Sequence, residues 1–148
     1  MEFSINLLLA EDDESDRMVF TEAINELALP VNLKMVNNGT QLLNWLSSEE
    51  NLIPDMLFLD LNMPQKNGFA CLAKIRLMEK VNQVPVVIYS HSFDPEVANL
   101  LHRLGAHYYI RKPANFEVLK KVIHQSILQI TTGDKSQPTM DKFILHAN

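Results

Sequence analysis

A single cysteine, Cys71, in a chain of 148 residues excludes an internal disulfide and implies no oxidising compartment. The first apolar run, Ile5 to Ala10, stops at an acidic cluster and is too short to span a bilayer, and Glu2 is wrong for the start of a signal peptide. The five histidines are scattered, without the His/Cys spacing of a transition-metal site. Basic residues are in deficit: 13 Lys and Arg against 18 Asp and Glu leave a net charge of -5, which argues against nucleic acid or a membrane surface as the main partner. No internal repeat or low-complexity block is found. A soluble, cytoplasmic protein is the expectation. What is present is 47% hydrophobic residues, enough for one domain with a proper core and too short a chain for two.

Five short apolar runs alternate with five amphipathic stretches. Ile5–Ala10 reads as a buried strand, followed by Glu11-Asp12-Asp13-Glu14-Ser15-Asp16 entering a helix to about Leu27, with Phe20, Ala23, Ile24 and Leu27 inward. Acids suit a helix N-terminus, so part of that cluster has a structural reason. Val31–Val36, with Val31, Leu33 and Met35 alternating, reads as an edge strand. Asn38-Gly39-Thr40 turns into a helix carrying Leu42, Leu43 and Leu46, with Trp45 as packing. Met56–Leu59 is a third strand ending on Asp60, and Pro64 with Asn67-Gly68 forces a turn. The next helix buries Leu72, Ile75, Met78 and Cys71, the last as a small core residue. Val84–Ser90 is the fourth strand, Asp94 and Pro95 open a helix with a stripe of Val97, Leu100, Leu101 and Leu104, and Gly105 stops it. His107–Arg111 is the fifth strand, and Asn115 caps a last helix to about Ile130. Residues 131–148 read as a breaker-rich linker (Thr131 to Pro138) and a short apolar end, Phe143-Ile144-Leu145, that either docks back or stays mobile.

This alternation specifies an α/β fold with a parallel sheet covered on both faces, and right-handed crossovers favour the doubly wound, flavodoxin-like strand order 2-1-3-4-5. In that order Glu11, Asp12 and Asp60 converge at one crevice, and Ser90 and Lys112 come to the same edge. Taken singly, Asp60 caps a loop, Ser90 is a strand-end hydroxyl and Lys112 an exposed charge. Together they make a different case. Like charges about 4 Å apart repel by roughly 4 kcal/mol at an effective dielectric near 20, so three carboxylates in one pocket need a cation. Hard oxygen donors suit Mg²⁺. Asp60 can then serve as a nucleophile that forms an acyl phosphate, with Lys112 and the Ser90 hydroxyl stabilising the transferring oxygens.

These residues resemble the receiver domain of two-component response regulators: Glu11-Asp12 after the first strand, Asp60 within Leu59-Asp60-Leu61-Asn62-Met63-Pro64 followed by Gly68, Ser90 after the fourth strand, and Lys112-Pro113 after the fifth. The resemblance covers about residues 5 to 130. It implies that Asp60 accepts phosphate from a sensor histidine kinase or phosphotransfer protein, and that Glu11, Asp12, Asp60 and the backbone carbonyl of Asn62 hold Mg²⁺. It implies further that Lys112 pairs with the phosphoryl group, that the Lys112-Pro113 bond is cis, and that Tyr109 is an aromatic switch that turns inward when Ser90 engages phosphate. Such a protein is a phosphoacceptor, limited to self-phosphorylation and autodephosphorylation, rather than a turnover enzyme. The Glu11, Asp12, Asp16 opening and the lack of an output domain look like the stand-alone regulators associated with phytochrome-type kinases.

One position departs from the family pattern: His91 stands where receivers carry a small residue after the switch hydroxyl, which points to an unusual phosphate lifetime. Three rivals are weighed against this reading. A haloacid-dehalogenase-like phosphatase places its nucleophile after the first strand in an Asp-x-Asp pattern. A flavodoxin-like FMN binder needs hydroxyl and glycine residues where Glu11 to Asp16 stand. A degenerate receiver used for docking would not need the complete site. With 18 residues after Ile130, output is expected by contact, as a homodimer or with a target protein, through the face of the fourth helix, fifth strand and fifth helix, with Tyr109 and Leu104 to Ile110 as moving parts.

Overall fold

The strands are apolar on both sides because both of their faces are covered. In the computed structural model, which describes residues 4–133 and 136–146, they are β1 (Ile5–Ala10), β2 (Val31–Val36), β3 (Met56–Leu59), β4 (Val86–Ser90) and β5 (Tyr108–Arg111). All pair in parallel, in the order β2-β1-β3-β4-β5 that the alternation predicts. Leu7, Leu9, Phe58, Val87, Tyr89 and Ile110 face one side, under α1 (Glu14–Glu26) and α5 (Phe116–Thr132). Leu8, Ala10, Leu57, Leu59, Val86 and Ile88 face the other, under α2 (Gly39–Ser47), α3 (Gly68–Ile75) and α4 (Pro95–Arg103). This is the period-two alternation of a strand, with each parity buried against its own helix layer. Among the described residues, no helix is long and apolar enough to cross a membrane.

Register sets up the site. Ala10 pairs with Leu59, so Glu11 and Asp60 leave the sheet side by side, and the Asp60 amide donates to the Ala10 carbonyl at 3.0 Å. Ser90 pairs with Arg111, and the Lys112 amide donates to the Ser90 carbonyl at 2.8 Å. The five main helices begin on side-chain caps, Asp13, Asn38, Asn67, Asp94 and Asn115, each accepting from an amide of the first turn.

Three expectations need adjustment. Strand β4 starts at Val86 rather than Val84, because Pro85 has no N–H to donate, although its carbonyl still accepts from Leu57. The stripe on α4 is rolled: Ala98 and Leu101 are buried and Leu100 is 44% exposed, since the small Ala98 lets the helix lie close to the sheet. Helix α5 runs through Thr131 and Thr132, where a linker was expected, because Ile127 and Ile130 continue its apolar face into the core. Asp134 and Lys135 of that linker lie outside the described residues.

The end of the chain docks. A short helix, α6 (Met140–Phe143), leads to Ile144, which bridges in parallel to Tyr109, and the Leu145 amide donates to the Tyr109 carbonyl at 3.0 Å. Phe143 is fully buried on the α4 side of the sheet and Leu145 is buried on the α5 side, so the segment straddles the β5 edge. The Phe143 ring stands edge-on to His102 and Tyr109, with centroids 5.1 and 6.3 Å away. An open edge of a sheet is a template for unwanted pairing, and this segment covers it. Truncating Phe143 to alanine removes about 3 kcal/mol or more of packing. That loss should appear as undocking of the segment from the β5 edge. We expect hydrogen exchange at the Leu145 amide to accelerate at least tenfold while the β1 and β3 amides keep their protection; unchanged protection at Leu145 would show that the bridge alone holds the segment.

Candidate functional site

Glu11, Asp12, Asp60, Asn62, Ser90 and Lys112 come to one end of the sheet, at or just past the carboxyl ends of β1, β3, β4 and β5, with Tyr109 inside β5 beside them. Carboxylate oxygens of Glu11, Asp12 and Asp60 all lie within 4.8 Å of one another, with Glu11 and Asp60 buried and Asp12 exposed. The backbone fixes them from both sides. Arg17 donates through Nη1 to the Glu11 carbonyl at 2.8 Å, and the Asn62 amide donates to Asp60 Oδ1 at 3.3 Å. Gly68 is needed where α3 begins: a Cβ there would stand 2.3 Å from the Asp60 carbonyl oxygen and 2.8 Å from Leu61 Cα. Only glycine lets that helix start lie against the strand end that carries Asp60.

The ammonium of Lys112 answers the acids. Its side chain is only 4% exposed; it donates to Glu11 Oε1 in a short ion pair and to Asp16 Oδ2 at 3.0 Å. Beneath it lies the Tyr89 ring, with Nζ 4.8 Å from the centroid, and Tyr89 packs edge-on to Phe20 and Phe58. Burial pushes the Glu11 carboxyl up to about 8; Lys112 pulls against that shift and Asp60 adds to it. For Lys112, burial works to lower the pKa, but the hydrogen bonds to Glu11 and Asp16 outweigh it and hold the ammonium above its ordinary value. Burial also acts to raise the Asp16 carboxyl, yet the bonds from Lys112 and His91 leave it below the usual carboxylate value.

The hydroxyl side of the site is a small network. Ser90 Oγ accepts from Asn62 Nδ2 at 3.4 Å and lies 3.2 Å from Ser92 Oγ. Tyr109 is buried, with its hydroxyl donating to the Ser92 carbonyl, so its ring points inward against Phe93 and Phe143. The Lys112–Pro113 bond is trans, contrary to the expected cis form. Trans is the lower-energy isomer of an X–Pro bond by about 0.5–1 kcal/mol, and from it Lys112 reaches both carboxylates.

Several residues here carry more than the sequence reading gave them. In the sequence Asp16 stands as one acid of a helix-starting cluster and as the third residue of the Glu11, Asp12, Asp16 opening, without a partner; in the structure it takes Lys112 and, through the same oxygen, His91 Nε2 at 2.9 Å. Its position one helical turn beyond Asp12 was the available clue. Ser92, Tyr89 and Arg76 had no such clue. Arg76 ties the end of α3 to the α4–β5 turn and the approach to β4, donating to the carbonyls of Val84, Leu104 and Gly105 at 2.9, 3.2 and 2.7 Å.

An oxygen-only donor set of two buried acids and one exposed acid, all within 4.8 Å of one another, fits a hard divalent cation. The phosphatase alternative fits poorly, since Asp60 follows β3 and not β1; the loop after β1 is anionic where a flavin phosphate would need donors.

Comparison with known proteins agrees with this geometry. The family pattern of the response regulator receiver domain matches residues 7–124. Response regulator Rcp1 of Synechocystis sp. is 28% identical over 123 residues, which cover 79% of this chain and 82% of Rcp1. The sensory/regulatory protein RpfC of Xanthomonas campestris pv. campestris is 30% identical over 112 residues, covering 74% of this chain but 15% of RpfC. Among solved structures, the phosphorylated cyanobacterial phytochrome response regulator RcpA superposes with a TM-score of 0.79 at 27% identity, covering 93% of this chain and 100% of that one. The chain belongs to the response regulator receiver domain family of two-component signalling.

The crowding of acids has a measurable consequence. Asp60→Asn removes one of three neighbouring carboxylates while keeping the shape of the side chain. In buffer with a chelator, we expect its thermal midpoint to exceed wild type by about 3 °C, corresponding to about 1 kcal/mol. A lower midpoint would mean that attraction to Lys112 outweighs the repulsion.

Proposed function

We propose that the protein is the phosphoacceptor of a two-component phosphorelay, taking a phosphoryl group onto Asp60 from a sensor histidine kinase or a phosphotransfer protein in the cytoplasm. The observation that carries this reading is the convergence at one sheet edge of a buried Asp60, two further carboxylates within 4.8 Å and the buried ammonium of Lys112. RcpA, the structural relative, was solved in a phosphorylated form, which supports the same chemistry.

In the step, an Asp60 Oδ atom bonds to phosphorus as the donor's bond to phosphorus breaks, the P–N bond of a phosphohistidine or the P–O bond of acetyl phosphate, and the donor nitrogen or oxygen leaves with the bonding pair. Glu11, Asp12, Asp60 and the carbonyl of Asn62 are the residues to hold Mg²⁺. When bound, the ion neutralises the crowded carboxylates and the phosphoryl oxygens. Lys112 supplies a second positive charge to those oxygens, and Ser90 a hydroxyl donor. Ser90 shares a hydrogen-bonded network with Ser92, whose carbonyl accepts from the Tyr109 hydroxyl, so a rearranged Ser90 is felt at β5. Tyr109 in turn bridges to Ile144 and packs on Phe143. The change therefore leaves the site through α4, β5 and the docked C-terminal segment, where a second copy or a target protein would read it. The protein signals by contact, and its chemistry is limited to its own phosphorylation and hydrolysis.

Incubation with acetyl phosphate and Mg²⁺, followed by intact mass, tests the reading. Wild type should gain one phosphoryl group and Asp60→Asn none; an unmodified wild type, or an adduct that survives the substitution, would remove Asp60 from the role. Millimolar Mg²⁺ should also raise the thermal midpoint of wild type, because a cation bound only by the folded site stabilises it. No shift would count against the metal set.

A further inference from the structure

His91 and Asp16 lie outside the groups that touch the reacting atoms, yet they are joined to them. Asp16 Oδ2 accepts from Lys112 Nζ at 3.0 Å and from His91 Nε2 at 2.9 Å, so one carboxylate oxygen serves two donors. A carboxylate only accepts, so Nε2 is the nitrogen that carries the proton. The three residues come from α1, the β4–α4 turn and the β5–α5 turn, and the link crosses the mouth of the crevice. The two donors differ in setting: the Lys112 side chain is 4% exposed and that of His91 is 68% exposed. The Arg111 Nε–H donates to the His91 carbonyl at 3.4 Å, which holds the backbone of the turn while the imidazole reaches Asp16.

Resting on the phosphoacceptor reading above, we infer that Asp16 is a positioning residue that competes with the phosphoryl group for Lys112, and that His91 sets the strength of that competition by sharing the same Asp16 oxygen. Transfer replaces the single negative charge of Asp60 by the two of a bound phosphoryl group. With acetyl phosphate as the donor the P–O bond breaks and acetate departs with the electron pair. Lys112 must turn from Asp16 to meet that new charge. While His91 donates to Asp16, the oxygen gives Lys112 less. Asp16 keeps a partner when Lys112 leaves, so the carboxylate is not stranded in a site that is 23% exposed. Without His91, Asp16 holds Lys112 harder.

A simple steric role for His91 has the opposite sign. If the imidazole merely crowds the mouth, His91→Ala opens it and speeds transfer whatever stands at position 16. The two accounts separate in a double-mutant cycle on the rate of adduct formation with acetyl phosphate and Mg²⁺, followed by intact mass against time. Asp16→Asn should speed transfer by about tenfold, the worth of one charge-assisted hydrogen bond to Lys112. His91→Ala should slow it by about two- to fivefold, the range for an exposed pair. His91→Gln, whose amide can donate to the same oxygen, should recover most of the wild-type rate. In the Asp16→Asn background His91→Ala should have no further effect. Faster transfer in His91→Ala, an undiminished effect of that change in the Asp16→Asn background, or no effect of Asp16→Asn overturns the inference. These outcomes leave the phosphoacceptor reading standing as long as wild type forms the adduct at all. If wild type forms none, that reading fails and the competition for Lys112 falls with it.

Discussion

The fold ends in an electrostatic problem, and Lys112 is its answer within the chain. Glu11, Asp12 and Asp60 are brought together by the register of β1 on β3, which cannot be relaxed without unpairing two central strands. Charges this close repel by several kcal/mol at the dielectric of a half-buried site. The ammonium arriving from β5 relieves part of that, held from below by the Tyr89 ring and from the side by Asp16. The Glu11 carboxyl stays well above its ordinary value despite its ion pair, chiefly because it is buried, with Asp60 adding to the shift. An oxygen-only donor set crowded in this way fits a hard divalent cation.

The rest of the architecture braces that edge and links it to β5. Two aliphatic layers clamp the central strands, and an edge-to-face cluster of Phe20, Phe58 and Tyr89 lies directly beneath the ammonium. Gly68 lets α3 close against the strand end, and Arg76 fastens the far side of α3 to the turn before β5. The link to β5 runs through polar groups. Ser90, Ser92 and Tyr109 are linked by hydroxyls and one carbonyl, and Tyr109 is the residue on which the C-terminal segment rests. That segment occupies the outer edge of β5, where the sequence suggested an exposed contact face. Phe143 and Leu145 are turned inward there, and the segment rests on Tyr109 through Ile144.

Much of this was legible before any coordinates. Strand alternation, the caps and the breakers are local, and local chemistry is written residue by residue: Asp94-Pro95, Asn67-Gly68 and Gly105 could each be read for its own backbone effect. Strand order followed from handedness and from the two-sided cover, and it was enough to gather Glu11, Asp12, Asp60, Ser90 and Lys112 at one edge. What the sequence reading handled badly was anything set by roll, length or pairing across the fold. Leu100 fitted the helical stripe yet faces outward, because the small Ala98 decides how closely α4 lies on the sheet. Thr131 and Thr132 looked like linker, yet the apolar face of α5 carries them into the helix.

The sequence by itself determined which chemical groups are available at the site and which strand end delivers each of them. It could do so because side-chain chemistry and strand period are properties of short stretches. Only the tertiary structure decided how those groups are partnered. That Lys112 holds Glu11 and Asp16 and that His91 shares the second of them depend on distances between residues 75 to 101 apart in the chain, and the seal of Phe143 on the β5 edge depends in the same way on its docking against α4 and Tyr109. An ion pair gains or loses its worth over an ångström or two and with the solvent around it, and neither is encoded in spacing along a chain.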